Sequence, residues 1–196
     1  MLTFLGYTLV FLALLVSLYV VIRPEASSQP FLRTAAMWTQ SSPFLLLSLS
    51  FLFEATSLDL VSSYVGEGLP LFYRISAVWG SRSGPLLMWA SMMSVIAWLM
   101  SRDTTTDSTT VRIIHLWTFL LLLISAGLRP FSPAIPGSAG EISPLLQTDL
   151  MVIHPPVVFV YYSLCLATAS IAVSGLIRSR PSSETHASMI PWARYS

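Results

Sequence analysis

The sequence predicts an all-α integral membrane protein with about five transmembrane helices, a short interfacial helix and an ordered outer-face loop. Three observations carry this fold class. Of the 196 residues 54% are hydrophobic and 10% charged, and mean hydropathy is +0.72, a composition suited to lipid rather than water. Several apolar runs approach the roughly 20 residues that a hydrocarbon core of about 30 Å demands. The runs end on arginine, proline or serine-rich turns, the punctuation expected where a chain leaves the membrane.

Residues 1–180 read as a single membrane domain with helices at about 2–22, 43–60, 83–101, 111–128 and 155–177, followed by a polar tail over 181–196. The first helix stops at Arg23-Pro24, a base followed by a helix breaker. Residues 25–40 mix serine, proline and glutamine around Arg33 and predict a loop with an interfacial turn at 31–38. Ser42-Pro43 has the form of a cap followed by proline at the first helical position, and so opens the second helix. Glu54 would be its one acid at depth, a functional candidate by default, with a protonated or hydrogen-bonded carboxyl as the alternative. Gly66, Gly68 and Pro70 interrupt 61–79 too often for a span, which predicts a short helix lying on the surface. His115 falls in the first turns of the fourth helix, where a histidine bonds across to another helix more often than it binds haem. Proline- and glycine-rich 129–153 predicts an ordered extramembrane loop rather than a sheet.

The fifth helix opens on His154-Pro155-Pro156. Proline is tolerated in a first helical turn, so His154 would sit at the cap, on the boundary between lipid and water. Imidazole is a strong iron ligand, and a rigid double proline behind it would fix its direction, which makes His154 a candidate axial haem ligand. A capping histidine bonded to a backbone group is the competing reading.

Charge sets the orientation. All ten basic side chains are arginine and the net charge is only +1, scattered among loops in a way that does not suit nucleic acid. Arg23, Arg33, Arg102, Arg112, Arg178, Arg180 and Arg194 fall on one face, against Arg74, Arg82 and Arg129 on the other. The positive-inside rule makes the first face cytoplasmic or matrix, and places the N-terminus and the His154 loop on the outer side. The single Cys165 reads as a small buried hydrophobe. Neither a cleaved signal nor an Arg-rich presequence is expected from MLTFLGYTLV.

Two stretches resemble a known family. Residues 69–89, LPLFYRISAVWGSRSGPLLMW, are similar to a pattern of LP, aromatic, YR and a WG pair before a spanning helix. Residues 129–156, RPFSPAIPGSAGEISPLLQTDLMVIHPP, are similar to a loop that opens on NPF, passes PLLQD and closes on HPP. Both belong to the CcmF-type haem lyases of cytochrome c maturation, and the resemblance covers essentially this whole chain but only the N-terminal part of a family member. The chain departs from the pattern at Arg82-Ser83-Gly84, where the family typically carries HEG, and at Gln147-Thr148-Asp149, where it carries QD.

The resemblance implies a role for His154 as one of two histidines that flank a tryptophan-rich segment and present haem for thioether attachment to the CXXCH cysteines of apocytochrome c. Trp79, Gly80, Gly84, Pro155 and Pro156 would shape the floor against which the porphyrin packs, and the cofactor would be haem b, held transiently and shared between subunits. The tryptophan-rich segment and the remaining histidines are expected on C-terminal haem lyase subunits of a split form in the mitochondrial inner membrane. Haem-delivery and thiol-reducing maturation proteins and membrane lipid complete the partners, with no catalysis expected of this chain alone. A bacterial cytoplasmic membrane is the alternative location. A haem-free structural subunit, surrounded by respiratory-complex subunits, is the alternative function.

Overall fold

Twenty-one residues from Leu2 to Ile22 carry no charge and form α1 (Leu2–Ile22), which a short 3-10 helix, Pro24–Ser28, turns back into α2 (Pro30–Leu52). The computed structural model describes residues 1–66, 68–103, 106–137, 140, 142–144 and 147–194. Among these the further elements are α3 (Asp59–Tyr64), α4 (Leu71–Gly80), α5 (Gly84–Met100), α6 (Ser108–Gly127), α7 (Asp149–Ile177) and α8 (Ser182–Ala193). Helices α1, α2, α5 and α6 form a ring in which each packs on two neighbours, and α7 closes against α5 and α6. Val10, Leu47, Phe51, Met93, Ile114, Leu122 and Ala167 fill the shared core.

Among the described residues α1, α6 and α7 are long and apolar enough to cross a membrane, and α4 and α5, bent by 88°, are so only when taken together, as a broken span or a re-entrant pair. The fifth member, α2, is less apolar because it carries Arg33, Gln40 and the Ser41-Ser42-Pro43 run. The 43–60 expectation is corrected here: α2 begins at Pro30, includes the segment expected as a loop, and ends at Leu52. Pro43 lies inside it, and the carbonyl it deprives of a partner, Thr39 O, accepts the Ser42 hydroxyl at 2.8 Å. Ser42 thus repairs the helix rather than capping it. Beyond Leu52 the chain turns through Glu54 at φ 50°. Glu54 is therefore not at depth within a helix; it pairs with Arg74 at 2.6 Å, while Arg74 also donates to Leu52 O and Leu69 O at 3.2 and 3.1 Å.

Buried polar groups stitch the ring together. Gln40 Nε2 donates to Ser17 Oγ at 3.0 Å and to His115 Nδ1 at 2.9 Å, joining α1, α2 and α6. Ser41 and Ser94 hydroxyls meet at 2.8 Å between α2 and α5. Such contacts hold membrane helices together because lipid gives no hydrophobic drive for one helix to seek another. His115 makes the cross-helix bond read from the sequence.

The arginines divide between the two ends as their order predicts. At one end Arg74 meets Glu54 and Arg82 meets Asp59; at the other Arg178 and Arg180 meet Asp107. At the Arg74 end described residues of the loop after α6 are tied to the α2–α3 turn and to α3: Asp59 and Ala134 N–H groups pair with Ser132 and Ser57 carbonyls, and those of Gly140 and Ile142 with Ser62 and Tyr64. Phe131 is fully buried there, and a side chain at Gly6 of α1 would run into its ring. The tail, expected to be merely polar, forms α8 and folds back on α7, where Gly175 leaves room for Thr185.

Asp107 secures the opposite end. Its carboxylate accepts from the Thr109 and Thr110 N–H groups at 2.9 and 3.0 Å, from the hydroxyls of Thr110 and Ser174 at 2.8 and 2.7 Å, and from the two arginines. Burial alone would raise this carboxyl, but the Ser174 and Thr110 hydrogen bonds and the Arg180 charge outweigh it and hold the group at about 2. A folded-state value below the unfolded one contributes stability that is present above the unfolded value and lost as pH falls toward 2. Asp107→Asn is expected to lower stability by about 2 kcal/mol near neutral pH, with the difference from wild type closing as pH approaches 2, in detergent-phase thermal unfolding.

Candidate functional site

The fifth spanning helix starts earlier than 155. Thr148 is its N-cap, accepting from the Met151 N–H at 3.4 Å, and α7 runs from Asp149. Pro155 and Pro156 consequently lie inside the helix, and His154 is past its first turn rather than at its cap. The capping role weighed for His154 falls to Thr148. Leu145 and Leu146 of the PLLQ motif lie outside the described residues.

A proline inside a helix leaves the carbonyl four residues earlier without its N–H partner. For Pro155 that carbonyl belongs to Met151, and the Trp79 indole Nε1 donates to it at 2.7 Å. The bond crosses from the end of α4 to the first turns of α7. Gly80 lets the two helices approach: a Cβ there would stand 3.3 Å from Met151 Cε and 3.6 Å from Ile142 Cδ1. The WG pair and the HPP triplet, far apart in sequence, are thereby one structure.

His154 projects from this structure. It is exposed and, among the described residues, makes no hydrogen bond. Its neighbours are apolar and equally bare, with Leu150 70%, Ile153 64% and Val157 59% exposed. An unbonded imidazole on an apolar shelf at a helix mouth is the kind of group that could ligate the iron of a planar, apolar macrocycle. Trp79 and Gly80 meet α7 at Met151, one turn before His154, Pro155 and Pro156.

Gly84 does not join them. It is buried in the bend between α4 and α5, its N–H donating to Ser81 Oγ at 3.2 Å, and a side chain there would strike the Val78 carbonyl. Its glycine serves the 88° turn rather than the exposed floor. Arg82, at the first position of the family's HEG, is tied to Asp59 at 3.1 Å, and Ser83 is buried.

Sequence reasoning did not find Met151, whose role is carried by its backbone; the four-residue offset from Pro155 is the signal that points to it. Nor did it give a role to the aromatic group below, where the Trp89 ring lies 5.7 Å from Phe159 and 5.8 Å from Tyr162. This group packs α5 on α7 one turn beyond the double proline, and the short i, i+3 spacing of Phe159 and Tyr162 on α7 is its trace in the sequence.

The sequence profile of the family described as Cytochrome C assembly protein matches residues 79–194, starting on Trp79 and enclosing the whole of this site. The chain belongs to the cytochrome c assembly protein family. It is 26% identical over 160 residues to the cytochrome c-type biogenesis protein CcmF of Escherichia coli, covering 76% of this chain and 24% of that protein. It is 30% identical over 176 residues to the CcmF of Pseudomonas fluorescens, covering 82% and 25%. The biogenesis protein NrfE of Haemophilus influenzae is 26% identical over 161 residues, covering 77% and 25%. The chain thus spans about a quarter of the length of these curated relatives. No solved structure matches it.

Trp79→Phe keeps the ring and removes the donor, leaving the Met151 carbonyl unpaired. It is expected to cost about 1–3 kcal/mol in thermal unfolding. Pro155→Ala supplies a backbone N–H to the same carbonyl, so in that background Trp79→Phe is expected to cost much less, and the double-mutant cycle measures the difference.

Proposed function

We propose that this chain is the N-terminal part of a split, CcmF-type haem lyase of cytochrome c biogenesis, and that it offers His154 as an axial haem ligand on the outer face of the mitochondrial inner membrane. The observation that carries the reading is the unbonded, exposed imidazole beside the Trp79–Met151 bond, on a motif within the matched family region. Bound haem b supplies vinyl groups to which the thiols of a CXXCH segment add. The chain's own residues would do the holding: His154 would meet the iron, Leu150, Ile153 and Val157 would give the macrocycle an apolar surface, and Trp79 fixes the backbone of α7 at Met151, one turn before the histidine. The second axial ligand, the tryptophan-rich surface, and the delivery of haem and of reduced apocytochrome c come from partner subunits.

The arginine distribution favours the assigned sidedness, with the three-arginine end, which carries His154, on the intermembrane-space side. The test is to purify the protein with its partners in mild detergent, comparing wild type with His154→Ala. Haem that absorbs in the Soret region and copurifies with maturation proteins is expected in wild type, with most of it lost in the variant at unchanged helical content. Equal haem in both, or a haem-free wild type whose stable partners are respiratory-complex subunits, would overturn the proposal.

A further inference from the structure

At the arginine-rich end a second site takes shape that owes nothing to the haem reading. The last turn of α5 and the first turn of α2 are joined there by Arg33 and by Trp98, on which Arg102 rests. Arg33 Nη1 donates to Ser101 O at 3.0 Å, while its Nε is buried without a hydrogen-bond partner among the described residues. The Arg102 guanidinium lies 4.7 Å above the Trp98 ring, and Trp98 is itself fixed by its Nε1 bond to Thr34 Oγ1 at 3.1 Å. Both cations are thus held in place by uncharged groups. Among the described residues neither forms an ion pair, whereas Arg178 and Arg180 at the same end both close on Asp107.

Between them lies a cavity of about 420 Å³ bounded by the Pro24–Ser28 helix, α2, the α5–α6 turn and the start of α6. Arg33, Arg102, Ser108 and Val111 line it, as do two carboxylates, Glu25 and Asp103. Two fixed cations want a phosphate; the Glu25 carboxylate beside them wants hydroxyl donors on the same molecule. A basic pocket between the ends of membrane helices, at headgroup depth, is where anionic lipid headgroups bind.

We propose that this cavity binds the headgroup of an anionic, hydroxyl-bearing phospholipid of the phosphatidylglycerol type, its phosphodiester on Arg33 and Arg102 and its glycerol hydroxyls toward Glu25. The lipid ties α2 to the α5–α6 turn and so helps close the ring of helices at that end.

The test uses native mass spectrometry of the detergent-purified chain and thermal unfolding in nanodiscs of phosphatidylglycerol or of phosphatidylcholine alone. Wild type is expected to retain phosphatidylglycerol in preference to phosphatidylcholine and to melt higher in the phosphatidylglycerol discs. Arg102→Gln, which leaves the Arg33–Ser101 bond intact, is expected to reduce retention roughly five-fold, and Arg33→Gln/Arg102→Gln further, while Arg112→Gln, an equal change of charge outside the cavity, leaves it unchanged. Equal retention of the two lipids by wild type would overturn the proposal, and that comparison needs no variant to fold. So would an equal loss in Arg112→Gln, or full stabilisation in phosphatidylcholine discs by added inorganic phosphate, which would mark a site for a free anion.

Discussion

One hydrogen bond organises the Arg74 end of this molecule: the Trp79 indole donating to the Met151 carbonyl that Pro155 has deprived of its helical partner. In hydrocarbon an unpaired carbonyl has no water to turn to, so a proline so near the mouth of a membrane helix has to be answered by a neighbour. Here the neighbour is the last turn of α4. That requirement brings α4 against α7, places Gly80 close against the Met151 side chain, and demands the sharp bend that Gly84 makes passable between α4 and α5. The exposed direction of His154 follows from it, since the helix that carries the histidine is fixed on one side by the bond.

The same use of a neighbouring donor or acceptor recurs deeper in the bundle. Pro43 interrupts α2 and Ser42 supplies the missing donor. Gln40, fully surrounded, spends both amide hydrogens on Ser17 and His115 and so pins three helices at one level. Asp107 gathers the start of α6 and the end of α7 through hydroxyls, backbone N–H groups and two arginines. Between these polar fixtures the packing is apolar and undirected. The register of the helices therefore rests on a few hydrogen-bonded residues and not on the more numerous leucines.

How much of this was legible in the sequence depended on whether the signal was local. The apolar runs of α1 and α6 and the split of arginines between two ends were plain, because hydropathy and charge need no partner to be read. The motifs around Trp79 and His154 were found and expected at one site, but the bond that joins them was not, since a bond from an indole to a backbone carbonyl leaves no mark in composition. Both helix starts that were misplaced, at Pro43 and Pro155, had proline taken as a beginning. Within a membrane a proline can sit well inside a helix when a serine or a neighbouring tryptophan meets the orphaned carbonyl, and those donors come from tertiary structure or from side-chain rotamers that sequence does not disclose. Glu54 was misjudged for a related reason: Arg74 ends α2 at Leu52 from outside the helix.

Electron cryomicroscopy of the intact complex, purified with haem and its maturation partners, would test the central claim most directly. The account predicts haem iron at bonding distance from a His154 ring nitrogen, with the macrocycle resting on Leu150, Ile153 and Val157 and the Trp79 indole still on the Met151 carbonyl. A His154 covered by side chains of another subunit, with no haem against α7, would contradict it.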